Sequence, residues 1–204
     1  MSDSAPSDIG VRRASLSDLD VAVDILVESH RDYVWERWAL GEARHVTQLR
    51  DLYAADLRSV GIPHGEVWMS GDGRSVSVWL HGDRYEALRV DDLTELERVA
   101  VAAFGDRLPL IEEVERVIRD CRPRGHWHLA TMGTRPSHQR RGLGTAVLGP
   151  RLAALDADGE IASLETSEHS NVEFYGRLGF RVVACVDNLP HGAPTTWLMS
   201  REPH

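Results

Sequence analysis

Apolar residues recur along the chain with two periods, and these periods predict the order of its elements. Apolar and polar residues alternate over residues 9–13, as they do in a half-buried strand. Leu19, Val23, Leu26 and Val27 then follow at helical spacing. The chain is therefore predicted to open with a strand followed by a helix.

A second helix and a hairpin are predicted next. Residues 42–60 carry apolar positions at helical spacing, and Gly61 and Pro63 are predicted to end this helix. Alternating residues on both sides of Gly71-Asp72-Gly73 predict two strands joined by a tight turn, because these turn residues tolerate positive φ. Residues 91–120 are again helical in pattern, with breaks near Gly105 and Pro109.

The last third of the chain has the densest signals. The pattern predicts strands over residues 127–134, 161–166, 180–186 and 195–200, and helices over residues 142–156 and 171–178. Gly159 and Gly179 are placed to end the two helices. Strands and helices that alternate in this way are typical of an α/β protein.

Length and composition favour one domain that stays in the cytoplasm. The chain has 204 residues, of which 42% are hydrophobic and 27% charged. No apolar run approaches the roughly 20 residues of a membrane span, and residues 1–8 lack the apolar stretch of a signal peptide. We therefore expect a flexible terminus over residues 1–8, a single domain over residues 9–204, and no membrane partner.

Charge and residue usage exclude several chemistries. The net charge is −9, which disfavours a nucleic-acid partner. All 23 basic residues are arginine, so a Schiff-base lysine and the lysine of a P-loop are both excluded. Cys121 and Cys185 have no metal-ligand spacing and are expected to be buried free thiols.

The segment from Gln139 to Thr145 is the strongest candidate for a binding loop. Gln139, Arg140, Arg141, Gly142, Leu143, Gly144 and Thr145 join a predicted strand to a predicted helix. Glycines there let backbone N–H groups turn toward a phosphate at the positive end of the helix, and arginines add charge. A Rossmann fingerprint would need glycine where Val147 stands. An ordinary turn with solvated arginines is the alternative.

The spacing of Gln139, Gly142 and Gly144 with Asn171, Tyr175 and Gly179-Phe180 resembles the GNAT superfamily of acyl-CoA-dependent N-acetyltransferases. The resemblance is strongest to its puromycin N-acetyltransferase type and spans nearly the whole chain, with a weak match over residues 81–123. It implies an α/β fold with a mixed, partly splayed sheet of six to seven strands and helices on both faces. It also implies acetyl-CoA as co-substrate, no metal, and a small-molecule amine as acceptor, such as an aminonucleoside antibiotic.

The resemblance assigns roles to individual residues. Met132 and Thr134 are expected to meet pantetheine through their main chain, Asn171 to hydrogen-bond the same arm, and residues 141–145 to hold the pyrophosphate. Tyr175 matches a tyrosine that faces the thioester sulfur, and Glu165 matches a carboxylate that acts as general base in some relatives. A packed aromatic ring and a salt-bridged strand residue are the respective alternatives.

An acceptor site is expected near Tyr33, Trp35 and His128. Tyr33 and Trp35 belong to an aromatic cluster that the resemblance places beside the acceptor. His128 shares a strand face with His126, but no Cys, Asp or Glu stands at a sequence spacing that would supply a third metal ligand. Two other functions remain open, namely an acetyltransferase for protein amino termini and a CoA-binding sensor without turnover.

Overall fold

A seven-stranded mixed sheet forms the centre of the computed structural model, which describes residues 10–41, 44–121 and 127–204. The predicted flexible terminus therefore lies outside the described residues. The strands are β1 (Val11–Arg13), β2 (Glu66–Ser70), β3 (Ser75–His81), β4 (Trp127–Thr134), β5 (Ala162–Thr166), β6 (Arg181–Val186) and β7 (Thr196–Arg201). Their spatial order is β1-β2-β3-β4-β5-β7-β6, which confirms the predicted α/β fold and strand number.

The splay of the sheet lies between β4 and β5. This pair is parallel, and its register ends with Leu129 opposite Leu164. Beyond that point β4 continues beside β3 alone, through Thr134 opposite Ser75. Ala130 is an extra residue in the β3–β4 register and is exposed, so a bulge turns β4 where it leaves β5. The parted strands open a cleft in the middle of the sheet.

Nine helices are found among the described residues. They are α1 (Leu19–His30), α2 (Val34–Leu40), α3 (His45–Asp56), α4 (Ile62–His64), α5 (Gly82–Glu86), α6 (Val90–Phe104), α7 (Leu108–Cys121), α8 (Leu143–Asp158) and α9 (His169–Gly176). The predicted strand, helix and hairpin positions are confirmed to within a few residues. Helix α2 was not predicted, because its seven residues are too few for a periodic pattern to emerge.

The predicted stop at Gly61 is wrong. A π-helical turn over Leu57–Gly61 leads directly into α4, and Gly61 keeps right-handed helical angles. Pro63 lies inside this continuous helical segment, where it has no N–H to donate to the preceding turn. The helix ends at Gly65 instead. Only glycine fits there, because a Cβ would lie 2.5 Å from the Trp79 carbonyl oxygen.

Helices cover both faces of the sheet and form separate cores. On one face, α1 and α3 bury Leu26 and Leu49 against Val67 and Val78 of the hairpin. On the other, α8 and α9 pack over a cluster that includes Trp79, Leu129, Leu148, Leu155, Leu164 and Tyr175. The predicted covering of both faces is therefore confirmed.

The cysteines differ from expectation. Cys121 and Cys185 are both free, but both are exposed. Cys121 is the last residue of α7, and Cys185 lies on β6, which is the edge strand of the sheet. The β6 residues are mostly exposed, and the predicted burial is wrong for both thiols.

Candidate active site

Two cavities meet where β4 and β5 part. The large cleft, of about 780 Å³, is lined mainly by residues 132–145 and 168–178. The small cavity, of about 220 Å³, lies among β4, β5, α1, α2, α3, α7 and α9. Four residues line both spaces, namely His30, Tyr33, Met132 and Asn171. A ligand in the large cleft can therefore reach a second ligand in the small cavity.

The large cleft brings together nearly all residues that were predicted to bind the cofactor. They are Met132, Thr134, Gln139, Arg140, Gly142, Leu143, Gly144, Thr145 and Asn171. Arg141 belongs to the same loop and is exposed, but its side chain is not among those that line the cleft. The predicted role of residue 141 used its backbone, so that assignment stays a prediction.

The loop backbone is curved in the way that an anion site requires. Arg140 has φ +60° and Gly142 has φ +80°, and Gly142 is the N-cap of α8. Left-handed residues next to a helix start turn successive N–H groups toward the same side, and the first N–H groups of a helix have no intrahelical partner. A Cβ at Gly144 would lie 3.4 Å from Phe174 and 3.6 Å from Met132, which are also cleft residues. The loop thus has the shape and polarity to hold a phosphate.

Charges around the large cleft are mixed. Arg140 and Arg177 line it, together with Asp32, Glu168 and Glu173. Arg135, which precedes the loop in the chain, makes an ion pair with Glu28 and donates to the Gly73 carbonyl at 3.1 Å. The charge of Arg135 is therefore already balanced by Glu28.

Glu165 faces the small cavity, on the part of β5 that has no β4 partner. One of its carboxylate oxygens lies 3.5 Å from Nε2 of His128, and Nδ1 of His128 lies 3.1 Å from the Ser163 hydroxyl. His128 itself does not line the cavity. The structure therefore places His128 behind the carboxylate, where it can orient Glu165.

Tyr175 and Tyr33 both line the small cavity. The Tyr175 side chain is 7% exposed, and burial, with a smaller contribution from nearby Tyr33, raises the pKa of its phenol. The Tyr33 hydroxyl accepts a hydrogen bond from the Ser167 backbone N–H at 2.6 Å and shares one with Thr166 at 3.1 Å. Asn171 Nδ2 donates to the same Thr166 hydroxyl at 3.1 Å. These bonds fix Tyr33 and Asn171 at the junction of the two spaces.

His30 lines both spaces, although no sequence motif indicated this position. Its Nδ1 lies 3.0 Å from the Leu26 carbonyl oxygen and 3.0 Å from the Ser29 hydroxyl. Burial lowers the pKa of His30 and keeps the ring neutral. A neutral imidazole at this junction is able to accept a proton.

Glu36, Tyr53 and Glu115 were also missed, and they line the small cavity beside Trp35. The Tyr53 hydroxyl donates to Glu36 Oε1 at 3.0 Å. Burial raises the pKa of Glu36 to about 7, and the negative charge of Glu115 contributes to the same shift. These residues come from α2, α3 and α7, so their common location could not be inferred from local pattern. The predicted substrate residue Trp35 reaches the cavity while packing against Trp38, with ring centroids 5.1 Å apart.

Neither a metal-binding cluster nor a membrane-spanning helix is found in the described ranges. No group of three or more His, Cys, Asp or Glu side chains within them is arranged to hold a metal ion. His126, the other half of the histidine pair, lies outside these ranges. No helix in the described part of the chain is long and apolar enough to cross a membrane.

A match to a known protein family identifies the family of this chain. The profile of the Acetyltransferase (GNAT) family matches residues 77–180, just over half of the chain, from β3 to the end of the α9 region. The chain belongs to the GNAT acetyltransferase family. It is therefore an acyltransferase, and the matched segment of this GNAT enzyme contains the loop, β4, β5 and α9.

Solved structures agree with that fold at low sequence identity. An acetyltransferase from Corynebacterium glutamicum, described as histone acetyltransferase HPA2 and related acetyltransferase, has a TM-score of 0.67 and 22% identity over 95% of this chain and 96% of its own. The ribosomal-protein-S18-alanine N-acetyltransferase of Escherichia coli has a TM-score of 0.55 and 15% identity, covering 95% and 92%. An agmatine N-acetyltransferase has a TM-score of 0.58 and 16% identity, covering 96% and 100%. At these identities the likeness concerns the fold alone.

Proposed function

We propose that this GNAT enzyme transfers an acetyl group from acetyl-CoA to the primary amine of a small molecule. The observation that carries the proposal is the junction of the two cavities at His30, Tyr33, Met132 and Asn171. One space has the backbone geometry of a phosphate site, and the other holds carboxylates that suit an amine. Direct transfer requires that two ligands meet, and the junction is where they would do so.

Acetyl-CoA would occupy the large cleft. Backbone N–H groups at the start of α8 and the Arg140 guanidinium would hold the pyrophosphate, since both favour negative charge. Met132 and Thr134 lie on the part of β4 that β5 no longer pairs, so their backbone groups on that side are available to the pantetheine amides. Asn171 stands at the junction, where the same arm would pass.

The reaction moves one acetyl group and two protons. The amine nitrogen forms a bond to the thioester carbonyl carbon, and the carbon–sulfur bond breaks. The ammonium gives up two protons in total, of which one ends on the thiol and one is released. A base must take the first proton before attack, because an ammonium has no lone pair, and general base catalysis is worth about 10²–10⁴-fold.

Glu165 and Tyr175 are the residues that we assign to proton transfer. Glu165 lies in the small cavity with His128 behind it, so its carboxylate can receive the amine proton directly or through water. The raised pKa of Tyr175 keeps its phenol protonated, so it can donate a hydrogen bond or a proton to the departing sulfur. Neutral His30 at the junction is a second group that can accept a proton.

The size of the small cavity favours a small acceptor. Its volume of about 220 Å³ lies below the roughly 300–1,000 Å³ of pockets for drug-sized ligands. An aminonucleoside such as puromycin would place only its amino-acid end there, near Tyr33 and Trp35. A protein amino terminus is the competing acceptor, and it would need to enter the same confined space.

The test is an acceptor panel that is followed by CoA release. It should contain puromycin, simple aliphatic and aromatic amines, and a peptide with a free amino terminus. We expect CoA release with at least one small amine and a product heavier by one acetyl group in mass spectrometry. Release with the peptide alone would assign the protein-directed function. Tight acetyl-CoA binding with no release for any acceptor would favour the sensor function instead.

A further inference from the structure

The small cavity holds more acidic groups than acetyl transfer requires. Glu36 of α2, Glu115 of α7 and Glu165 of β5 all line it, and no arginine is among its described lining residues. One carboxylate is enough to accept the proton of an attacking amine. Glu36 and Glu115 are therefore left without a role in the transfer step.

Glu36 is held close to the place where the two cavities join. The Tyr53 hydroxyl donates to its Oε1 at 3.0 Å, and the Tyr53 ring centroid lies 5.6 Å from that of His30, which lines both spaces. Glu36 is thus one aromatic ring away from the junction. A linear molecule of modest length can span from the junction to this carboxylate.

The environment of Glu36 suits a ligand with a positive charge. A buried carboxylate is costly unless a cation or several hydrogen bonds compensate it. Burial and the negative charge of Glu115 raise the pKa of Glu36 to about 7, which means that its anion is poorly compensated by the surrounding protein. An ammonium or guanidinium placed there would offset both effects.

We infer that the acceptor is a small amine with a second cationic group, which binds at Glu36 and Glu115 while the amine to be acetylated lies beside Glu165. This inference rests on the proposed function for the identity of the reacting end. The site for the second group is inferred from the positions of Glu36 and Glu115 in the cavity lining and from the Tyr53–Glu36 hydrogen bond. The cavity volume of about 220 Å³ limits the acceptor to a short chain.

The experiment compares linear diamines with monoamines of matching length. Each is titrated by calorimetry into the full-length protein with CoA bound, and each is also assayed for CoA release with acetyl-CoA. We expect a diamine of suitable length to bind about 10- to 100-fold more tightly than its monoamine, as charge-assisted hydrogen bonds allow. The same ratio should appear in kcat/KM.

Glu36→Gln tests the site itself. The glutamine amide keeps an oxygen that accepts from Tyr53, so the cavity should keep its shape, but the charge is lost. The ratio between diamine and monoamine should then fall to about 1–3-fold. Glu112→Gln is the matched control, because Glu112 is exposed on the same helix as Glu115 and lies outside the cavity. It should keep the parent's ratio.

The outcomes separate this inference from the proposed function. Preferential diamine binding without CoA release would contradict the proposed function but support the cationic site. CoA release with equal affinity for both amines, or an unchanged ratio in Glu36→Gln, would overturn the inference and keep the transferase. Failure of every amine to bind would overturn the cationic site as well.

Discussion

The two cavities of this acetyltransferase differ in how the chain builds them. The large cleft is made mainly of two continuous segments, residues 132–145 and 168–178, with four further residues from the end of α1 and the loop after it. The small cavity takes between one and four residues each from eight elements, namely α1, α2, α3, α7, α9, β4, β5 and β7. The large cleft can therefore be predicted in large part from local sequence, whereas the small cavity forms only when the helices pack together.

The cavities also differ in the charge they favour. The large cleft presents a helix start and Arg140, which attract phosphate. The small cavity presents three carboxylates and three tyrosines, which suit a cation. Changes in the large cleft should therefore act on acetyl-CoA affinity, and changes in the small cavity should act on turnover and acceptor choice. The following variants test that division, from the largest expected effect to the smallest.

Gly144→Asp should give the largest effect. It places a negative charge beside the proposed pyrophosphate site, and like charges in contact cost several kcal/mol, so acetyl-CoA affinity should fall by about 10²-fold or more. Gly144→Ala is the matched control, because its Cβ would meet Phe174 at an ordinary 3.4 Å. Calorimetry measures both. Parent-like acetyl-CoA affinity in the aspartate variant would remove the loop from the site.

Glu165→Gln should lower turnover by about 10²-fold near pH 7 and leave acetyl-CoA affinity close to that of the parent. Part of the lost rate should return at higher pH, where more of the amine is neutral. The measurement is rate against pH with the best acceptor. Superimposable profiles for parent and variant would exclude Glu165, and His30→Gln would then be the next variant to profile.

Tyr175→Phe should lower turnover by about 10-fold, since it removes one hydroxyl and keeps the ring that packs 5.8 Å from Phe180. Acetyl-CoA affinity should hardly change. Single-turnover rates and calorimetry separate the two effects. An unchanged rate would make Tyr175 a packing residue and assign thiolate protonation to water.

Glu36→Gln should change how stability depends on pH. The folded pKa of about 7 lies above the ordinary value of 4.5, so the folded state binds more protons between these values and stability falls as pH rises through that window. In the variant, the decrease in the free energy of unfolding across this pH window should be about 1–3 kcal/mol smaller than in the parent. Asp56, whose pKa burial raises to about 6, keeps its own contribution of the same sign. Urea titrations at pH 5 and pH 8 measure the difference, and parallel curves for parent and variant would contradict it.

The sequence by itself determined the parts whose signals are local. Alternation fixed β2 and β3 around their turn, and it fixed β4 at the observed bounds of Trp127–Thr134. Gly142 and Gly159 marked the two ends of α8, because both need the left-handed conformation that glycine adopts without cost. The family resemblance rested on motifs in the loop and α9, and it predicted the cofactor residues. Nearly all of these residues line the large cleft.

Only the tertiary structure decided the acceptor side. Periodicity tells which face of a helix is buried, but it does not tell which buried faces meet. His30, Glu36, Tyr53 and Glu115 lie on four helices, and their meeting depends on how those helices pack over the splayed sheet. The bulge at Ala130 acts in the same way, since one extra residue opposite β3 is visible only in the register of the strands. The character of the loop could therefore be predicted from contiguous sequence, whereas the shape and charge of the acceptor cavity depend on how the helices pack.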